Sequence, residues 1–207
     1  MILVLAIILS YLLGSIPTAY IFGKWYKGID IRKHGSGNVG ATYVFRVLGK
    51  GPGIFVLCVD ILKGVLAVSL VPNILGLPEV WVRIVLSLCV VAGHNWTIFL
   101  NFQGGKGIAT SLGVLIGLTI SIATIRPVLI WTILVWGISF FSFGYVSLAS
   151  IIAAVSLPII MVLTAQPLLI IFLGIIFSLF VVIRHRINIR RLLNGEESRA
   201  FKRSKKN

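Results

Sequence analysis

The chain has 207 residues, of which 58% are hydrophobic and only 12% are charged, and its formal net charge at pH 7 is +14. Soluble domains carry about a quarter charged residues, so this composition excludes an ordinary soluble protein and predicts one that crosses a membrane several times. The positive charge lies in short loops and in a basic tail (residues 184–207), with no soluble module to carry it, which argues against nucleic-acid binding.

Seven apolar segments predict an all-α, polytopic transmembrane helix bundle that forms a single domain, residues 1–207. The segments are Ile2–Phe22, Gly53–Leu70, Val80–Phe99, Ile108–Ile125, Val128–Phe143, Val146–Thr164 and Leu168–Ile183. Val71–Pro78 and Arg126-Pro127, which separate neighbouring segments, are predicted turns. The first has no basic residue before it and is longer than the apolar part of a signal peptide, so we expect a retained helix. The segments between residues 108 and 143 are short, which leaves five or seven crossings open, an odd number in either case.

Basic residues are distributed unequally between the two ends of these segments. Alternating seven helices places residues 24–50, the loop 101–107 and the tail on one side, and only Arg83 and Arg126 on the other. By the positive-inside rule the basic side is cytoplasmic, so the N-terminus is predicted outside and the C-terminus inside. Every polar, glycine-rich stretch falls on the cytoplasmic side. This favours an enzyme at one membrane–water boundary over a transporter, whose substrate site lies near the bilayer midplane.

The first polar stretch is RKHGSGNVGATYVFR, Arg32–Arg46. Its three glycines let backbone N–H groups approach a ligand, and Ser36, Asn38 and Thr42 can bond phosphate oxygens. Positive charge at both ends, including Arg46, and a short helix in its second half would favour an anion. The stretch therefore predicts a site for a phosphate-bearing molecule at the membrane surface. The alternative is a flexible basic loop that only fixes orientation.

The second stretch is NFQGGKG, which ends in Gly104, Gly105, Lys106 and Gly107. It resembles a phosphate cradle that opens a helix. It is not a Walker A motif, because Leu100 stands where that motif needs a glycine. The stretch therefore indicates anion binding rather than nucleotide chemistry, and the alternative is a lysine that snorkels from a helix end.

The third stretch is RHRINIRRLL, which begins at Arg184 after the last apolar segment. His185 and Asn188 are three residues apart, so a helix that continues here presents both on one face. Without further context, a basic cluster next to the membrane is more often a plain topology signal.

Ionisable residues also lie within the apolar segments. Asp60 and Lys63 are spaced for a pair within one helix, and we expect this pair to brace the glycine-rich loops, because charges at membrane depth usually face the bundle interior. His94 is expected to be a structural hydrogen-bonding residue. Cys58 and Cys89 lack metal-ligand spacing and are predicted to be small buried hydrophobic residues.

The residue pattern also excludes several common chemistries. The His-x4-Asp dyad of many glycerolipid acyltransferases is missing, because the fifth positions after the three histidines are Val39, Phe99 and Arg190. No Gly-x-Ser-x-Gly elbow with an acidic partner stands out. Each histidine lies in a different stretch, so neither a metal site nor a cofactor is expected.

Taken in order, these motifs resemble those of the bacterial acyl-phosphate:glycerol-3-phosphate acyltransferases, integral membrane enzymes of phospholipid synthesis. The matching residues are GSGNVGAT…R, D-x-LKG, GH-x-W…F-x-GGKG-x-AT, YVSLAS and RHR-x-NI-x-RLL-x-G-x-E, and the similarity runs from Gly14 to Glu197. The resemblance implies transfer of a fatty acyl group from acyl phosphate to the 1-hydroxyl of glycerol 3-phosphate, giving lysophosphatidic acid and phosphate. It also implies a multi-pass protein of the bacterial inner membrane with a cytoplasmic active site. The alternatives are an acyltransferase that uses acyl-CoA or acyl carrier protein, and a small anion or lipid transporter.

The resemblance implies a set of site residues as well. Catalytic positions fall on Ser36, Arg46, Lys106 and His185. Substrate-binding positions fall on Gly37, Asn38, Thr42, Gly104, Gly105, Gly107, Ser147, Ser150 and Asn188, and a structurally important glutamate falls on Glu197. The chain departs from the family pattern at Tyr43, Thr97 and Gln103, where asparagine, proline and lysine are common.

Acyl phosphate is already activated, because phosphate is a good leaving group. Positioned donors can then supply much of the rate enhancement without a covalent intermediate. We expect direct attack by the glycerol 3-phosphate hydroxyl, with Arg46, Lys106 and N–H groups of both glycine loops neutralising phosphate charge. His185 is the candidate base, and the departing phosphate is the alternative proton acceptor. The apolar helices, surrounded by membrane lipids, would hold the acyl chain.

Overall fold

The computed structural model describes residues 1–33 and 39–200, and within these ranges every regular element is a helix. The α-helices are α1 (Ile2–Ser15), α2 (Thr18–Lys27), α3 (Ala41–Val47), α4 (Lys50–Ile74), α5 (Val80–Asn95), α6 (Ile108–Ser121), α7 (Arg126–Phe143), α8 (Val146–Leu163), α9 (Leu168–Arg184) and α10 (Arg186–Leu193). Short 3₁₀ turns lie at Ile31–Lys33, Ile98–Leu100 and Ala123–Ile125. The predicted all-α class is confirmed.

Five described helical stretches are long and apolar enough to cross a membrane. They are Ile2–Lys27, Lys50–Ile74, Val80–Leu100, Ala123–Phe143 and Val146–Leu163. Helices α9 and α10 make a sixth if the pair, bent by 61°, is counted as one span. Helix α6 has 14 residues, about 21 Å at 1.5 Å per residue, against a hydrocarbon core of about 30 Å. The number of crossings and their orientation stay predictions.

Two predicted turns are helical in the structure. The segment predicted as a turn after residue 70 continues α4 to Ile74, even though Pro72 lies inside the helix. Proline lacks the N–H that would bond to the Val68 carbonyl four residues earlier. The buried Arg83 guanidinium donates to that carbonyl instead, at 2.6 Å, so the helix keeps its hydrogen bonding. The predicted turn at residues 126–127 is the beginning of α7, because proline is tolerated in a first helical turn.

The chain divides into two compact units, Met1–Arg126 and Pro127–Asn207. In the first unit, glycines bring helix backbones into direct contact. A Cβ at Gly14 on α1 would overlap the Val90 carbonyl of α5, and one at Gly113 on α6 would overlap the Ile61 carbonyl of α4. Small residues allow this close approach where lipid supplies no hydrophobic drive between helices.

The second unit packs α8 against α9, with Gly174 against Met161. After α10 the chain returns to the turn between α7 and α8, where the Ala200 N–H donates to the Gly144 carbonyl at 2.8 Å. The prediction that both cysteines are buried is wrong for Cys58, which is exposed on α4. Cys58 lies within the candidate membrane span Lys50–Ile74.

Candidate active site

The first polar stretch begins at a compact ion pair. The Asp30 carboxylate accepts the Arg32 backbone N–H at 3.1 Å and the guanidinium through two bonds of 3.0 and 2.8 Å. The guanidinium also lies over the Tyr20 ring, 4.9 Å from its centre. These donors lower the pKa of Asp30 to about 2. The chain is therefore held firmly where the stretch begins. The predicted site residues Ser36, Gly37 and Asn38 lie outside the described residues.

The second half of this stretch forms α3, a helix of seven residues. Thr42 and Arg46 are exposed on it, and Arg46 lies in its last turn. The opposite face is apolar and joins a core cluster formed by Ala19, Ile31, Val39, Ala41, Tyr43, Val44, Leu48, Val56 and Leu100. The departure at Tyr43 therefore faces the core and leaves the exposed face to Arg46.

The first membrane span is broken between α1 and α2, and the break is stabilised from elsewhere in the chain. It leaves the carbonyls of Gly14, Ser15 and Ile16 without regular helical donors. The Lys63 ammonium donates to Gly14 at 3.2 Å and to Ile16 at 3.0 Å. The Thr97 hydroxyl donates to Ser15 at 2.5 Å. Proline, which the family resemblance leads us to expect at this position, has no donor, so Thr97 adds a hydrogen bond.

The predicted pair of Asp60 and Lys63 is observed, with 2.7 Å between the ammonium and the carboxylate, and both side chains are buried. Asp60 also accepts the Thr18 hydroxyl at 3.2 Å. The His94 Nδ1 atom lies 3.4 Å from the Lys63 ammonium and 3.8 Å from the Asp60 carboxylate. These residues line a small polar cleft beside Val39 and the break, about large enough for one water molecule.

The second glycine-rich stretch lies against the end of α5. The Gly104 N–H donates to the Asn95 carbonyl at 3.1 Å, and the Gly105 N–H donates to the His94 carbonyl at 3.0 Å. Lys106 follows directly and is half-buried. Gly107, with φ of +77°, is the residue from which α6 begins. The arrangement places a cation beside a helix N-terminus, which is favourable for an anion.

The third stretch forms the end of α9 and α10. His185 is buried at the bend between them, and its Nδ1 lies 2.8 Å from the Val181 carbonyl. A carbonyl can only accept, so Nδ1 carries the proton in the neutral imidazole, and Nε2 is then the basic nitrogen. The predicted uninterrupted helix is wrong here: His185 is the residue at the 61° bend, and Asn188 lies three residues later in α10.

Asn188 is held by a glutamate that comes later in the chain. Glu197 Oε1 accepts the Asn188 amide at 2.7 Å and the Ser147 hydroxyl at 2.7 Å. An ionised carboxylate only accepts, so this contact fixes the amide with Nδ2 toward Glu197 and Oδ1 away from it. Ser150 is also held by the protein, since its hydroxyl accepts the Trp136 indole N–H at 3.2 Å.

Three contacts of the site were not predicted from the sequence: Thr18 with Asp60, Trp136 with Ser150, and Thr97 with the Ser15 carbonyl. For Thr18 and Thr97 the sequence does contain a signal. The run Gly-Ser-Ile-Pro within an apolar segment predicts a broken helix, whose freed carbonyls need donors from buried polar residues nearby.

Comparison with known proteins gives one consistent result. A family model described as glycerol-3-phosphate acyltransferase matches residues 4–195. The chain is 45% identical to a glycerol-3-phosphate acyltransferase of Geotalea daltonii over 201 residues, which cover 97% of this chain and 98% of the relative. It is 46% identical to one of Desulforudis audaxviator, covering 95% of this chain and 94% of the relative.

Two solved structures are also similar. Both are crystal structures of PlsY, an integral membrane glycerol 3-phosphate acyltransferase, and both are 39% identical to this chain. The glycerol 3-phosphate form gives a TM-score of 0.86 and covers 96% of each chain. The lysophosphatidic acid form gives 0.82 and covers 95% of this chain and 94% of the other.

Proposed function

This chain belongs to the glycerol-3-phosphate acyltransferase family of integral membrane enzymes, and we propose that its acyl donor is acyl phosphate. The products are then lysophosphatidic acid and inorganic phosphate. The acceptor is glycerol 3-phosphate, and one of the similar PlsY structures is described as the glycerol 3-phosphate form. The reaction serves phospholipid synthesis in the inner membrane of a bacterial cell, with the active site on the cytoplasmic side.

The observation that carries this proposal is the position of Lys106. It follows a loop that is hydrogen-bonded to α5, and it precedes the N-terminus of α6, a helix of 14 residues. An ammonium beside a helix N-terminus favours a phosphoryl group, which both proposed substrates carry. Arg46, exposed at the end of α3, adds a second cation on the same first unit, with the geometry to grip a phosphate through two N–H bonds.

The chemistry needs no nucleophilic side chain. The 1-hydroxyl oxygen of glycerol 3-phosphate attacks the acyl carbonyl carbon and forms the ester bond. The bond between that carbon and the bridging phosphate oxygen breaks, and phosphate leaves with the electron pair. The hydroxyl proton passes to a base or to the departing phosphate. Neutralising phosphate charge is the main task of the protein, and Arg46 and Lys106 are suited to it.

His185 is the candidate base, and its local geometry supports that role. Because Nδ1 donates to a backbone carbonyl, Nε2 is the nitrogen that would accept the hydroxyl proton. For Asn188 we propose hydrogen bonding to glycerol 3-phosphate, with the side-chain amide oriented by its donation to Glu197. Ser147 and Ser150 were expected to bind substrate. Their hydrogen bonds to Glu197 and Trp136 favour positioning roles instead.

The assay that tests the proposal compares acyl donors with the purified enzyme. Acyl phosphate and glycerol 3-phosphate should give lysophosphatidic acid without added metal, nucleotide or coenzyme A. Acyl-CoA and acyl carrier protein thioesters, offered at the same concentration, should give none. Product formed only from a thioester would reject acyl phosphate as the donor.

The role of His185 is tested by His185→Ala kinetics. If His185 is the general base, its removal should lower kcat at saturating substrate and abolish the acid limb of the pH–rate profile. Loss of binding alone raises the KM for glycerol 3-phosphate and leaves kcat largely intact. We expect a mixed effect dominated by KM, because phosphate leaves so readily. Wild-type values of both parameters would remove His185 from the site.

A further inference from the structure

The two leading glycines of the GGKG loop, Gly104 and Gly105, face α5. Their N–H groups donate to the Asn95 and His94 carbonyls at 3.1 and 3.0 Å. Both residues are buried. These two N–H groups therefore dock the loop on α5, which differs from the expectation that they surround a phosphate. The groups presented to an anion come later in the loop, at Lys106 and the start of α6.

The space around each glycine shows why no side chain is tolerated. A Cβ at Gly104 would overlap the His94 carbonyl oxygen and lie 2.8 Å from the Asn95 carbonyl carbon, so the obstacle there is backbone. A Cβ at Gly105 would overlap His94 Nε2 and lie 2.9 Å from Cε1. At Gly105 the obstacle is a single side chain, the imidazole of His94. The two neighbouring glycines are therefore required for different reasons.

The edge of the His94 imidazole that carries Nδ1 lies against a buried ion pair. Its Nδ1 edge lies 3.4 Å from the Lys63 ammonium. That ammonium has three protons and three close oxygens, at 2.7 Å on Asp60, 3.0 Å on Ile16 and 3.2 Å on Gly14. Because each of its three protons has an oxygen acceptor, the Lys63 ammonium is held in one position. The His94 ring therefore packs with one edge against this buried charged pair, and its other edge occupies the space into which a Cβ at position 105 would project.

We propose that His94 is a positioning residue for Lys106, and that Gly105 must be glycine because of His94 rather than because of a substrate. The Asp60–Lys63 pair fixes the imidazole, the imidazole sets the position of Gly105, and the next residue carries the ammonium. The inference rests on the proposed function in one respect, since it takes the anion at Lys106 to be the phosphate of glycerol 3-phosphate.

A double-mutant cycle tests the proposal, with the KM of each substrate and kcat measured separately. Gly105→Ala pushes against the imidazole and His94→Ala removes its support. Each should therefore raise the KM for glycerol 3-phosphate by about tenfold or more, while kcat changes by less than about threefold. In the double variant the methyl group added at position 105 occupies space that the ring has left. Its KM should be no higher than that of Gly105→Ala, instead of showing the product of the two losses.

Gly104→Ala, alone and with His94→Ala, is the matched control. Its obstacle is backbone, so removing the imidazole should give no recovery. His94→Gln, whose amide can reach the position of Nε2, should retain more affinity than His94→Ala. Losses that multiply in the Gly105→Ala/His94→Ala double variant, or recovery that is equal for Gly104→Ala, would overturn the proposal.

A second measurement tests the role of His94 independently of which acyl donor the enzyme uses. The thermal stabilisation that glycerol 3-phosphate confers on the purified protein requires no acyl transfer. The same cycle measured in this stabilisation should show the same non-additivity. An enzyme that is inactive with acyl phosphate but keeps this coupling would reject the donor and support the role of His94. Additive losses in the stabilisation would overturn it whatever the donor.

Discussion

Lys63→Met gives the sharpest prediction for the buried cluster. Methionine has a similar length, but it removes the ammonium that bonds Asp60 at 2.7 Å and the carbonyls of Gly14 and Ile16 at 3.2 and 3.0 Å. Removing one partner of a buried ion pair costs about 3–5 kcal/mol. At about 2–4 °C per kcal/mol for a chain of this size, the unfolding temperature should fall by about 6–20 °C.

The assay is thermal unfolding of the purified protein in detergent. The matched control is Lys50→Met, which removes a lysine at the exposed start of the same helix and should leave the unfolding temperature within about 2 °C of wild type. The double variant Asp60→Leu/Lys63→Met should unfold at a temperature between those of wild type and Lys63→Met, because no unpaired charge remains but the Gly14 and Ile16 carbonyls have lost the ammonium donor. An equal unfolding temperature for Lys63→Met and Lys50→Met would refute the account of this cluster.

Three further predictions concern the polar stretches. Arg46→Lys keeps the charge but loses the two-pronged grip, so kcat/KM should fall about ten- to a hundredfold, corresponding to roughly 1.5–3 kcal/mol; a change below twofold would argue against a phosphate contact. The Asp30 pKa is lowered from 3.8 to about 2, so its stabilising contribution is present above pH 3.8 and is lost as pH falls through about 2. Asp30→Asn should therefore unfold at a lower temperature than wild type at neutral pH, with the difference closing only in that acidic window, and a difference that closes near neutrality would contradict the assignment. Glu197→Gln keeps an acceptor for Ser147 and Asn188, whereas Glu197→Ala does not. The KM for glycerol 3-phosphate should therefore rise more in the alanine variant. A larger rise in the glutamine variant would exclude the positioning of Asn188 by Glu197.

The sequence predicted the helices well, because apolar runs of this length have few other structures available in a membrane. Each predicted segment contains a helix. The i,i+3 spacing of Asp60 and Lys63 also predicted their ion pair, since that contact is local. The predicted turn at Pro72 was wrong for a non-local reason, because the donor that repairs the helix is Arg83 from another helix.

The candidate site was predictable in its residue types but not in its hydrogen bonds. The glycines of GGKG were identified, yet their partners lie at the end of α5, and sequence spacing does not show that contact. Lys63 bonds carbonyls 47 and 49 residues away, and Ser147 bonds Glu197 at a separation of 50. Such contacts depend on how helices pack, which no local pattern encodes.

The most direct measurement of the central claim follows phosphate release in a single turnover. The purified enzyme is mixed with acyl phosphate, first without and then with glycerol 3-phosphate. Direct transfer predicts no phosphate above the uncatalysed rate until glycerol 3-phosphate is added, and then one phosphate for each lysophosphatidic acid. A burst of phosphate equal to the enzyme concentration in the absence of glycerol 3-phosphate, with an acyl group found on the protein by mass spectrometry, would contradict it.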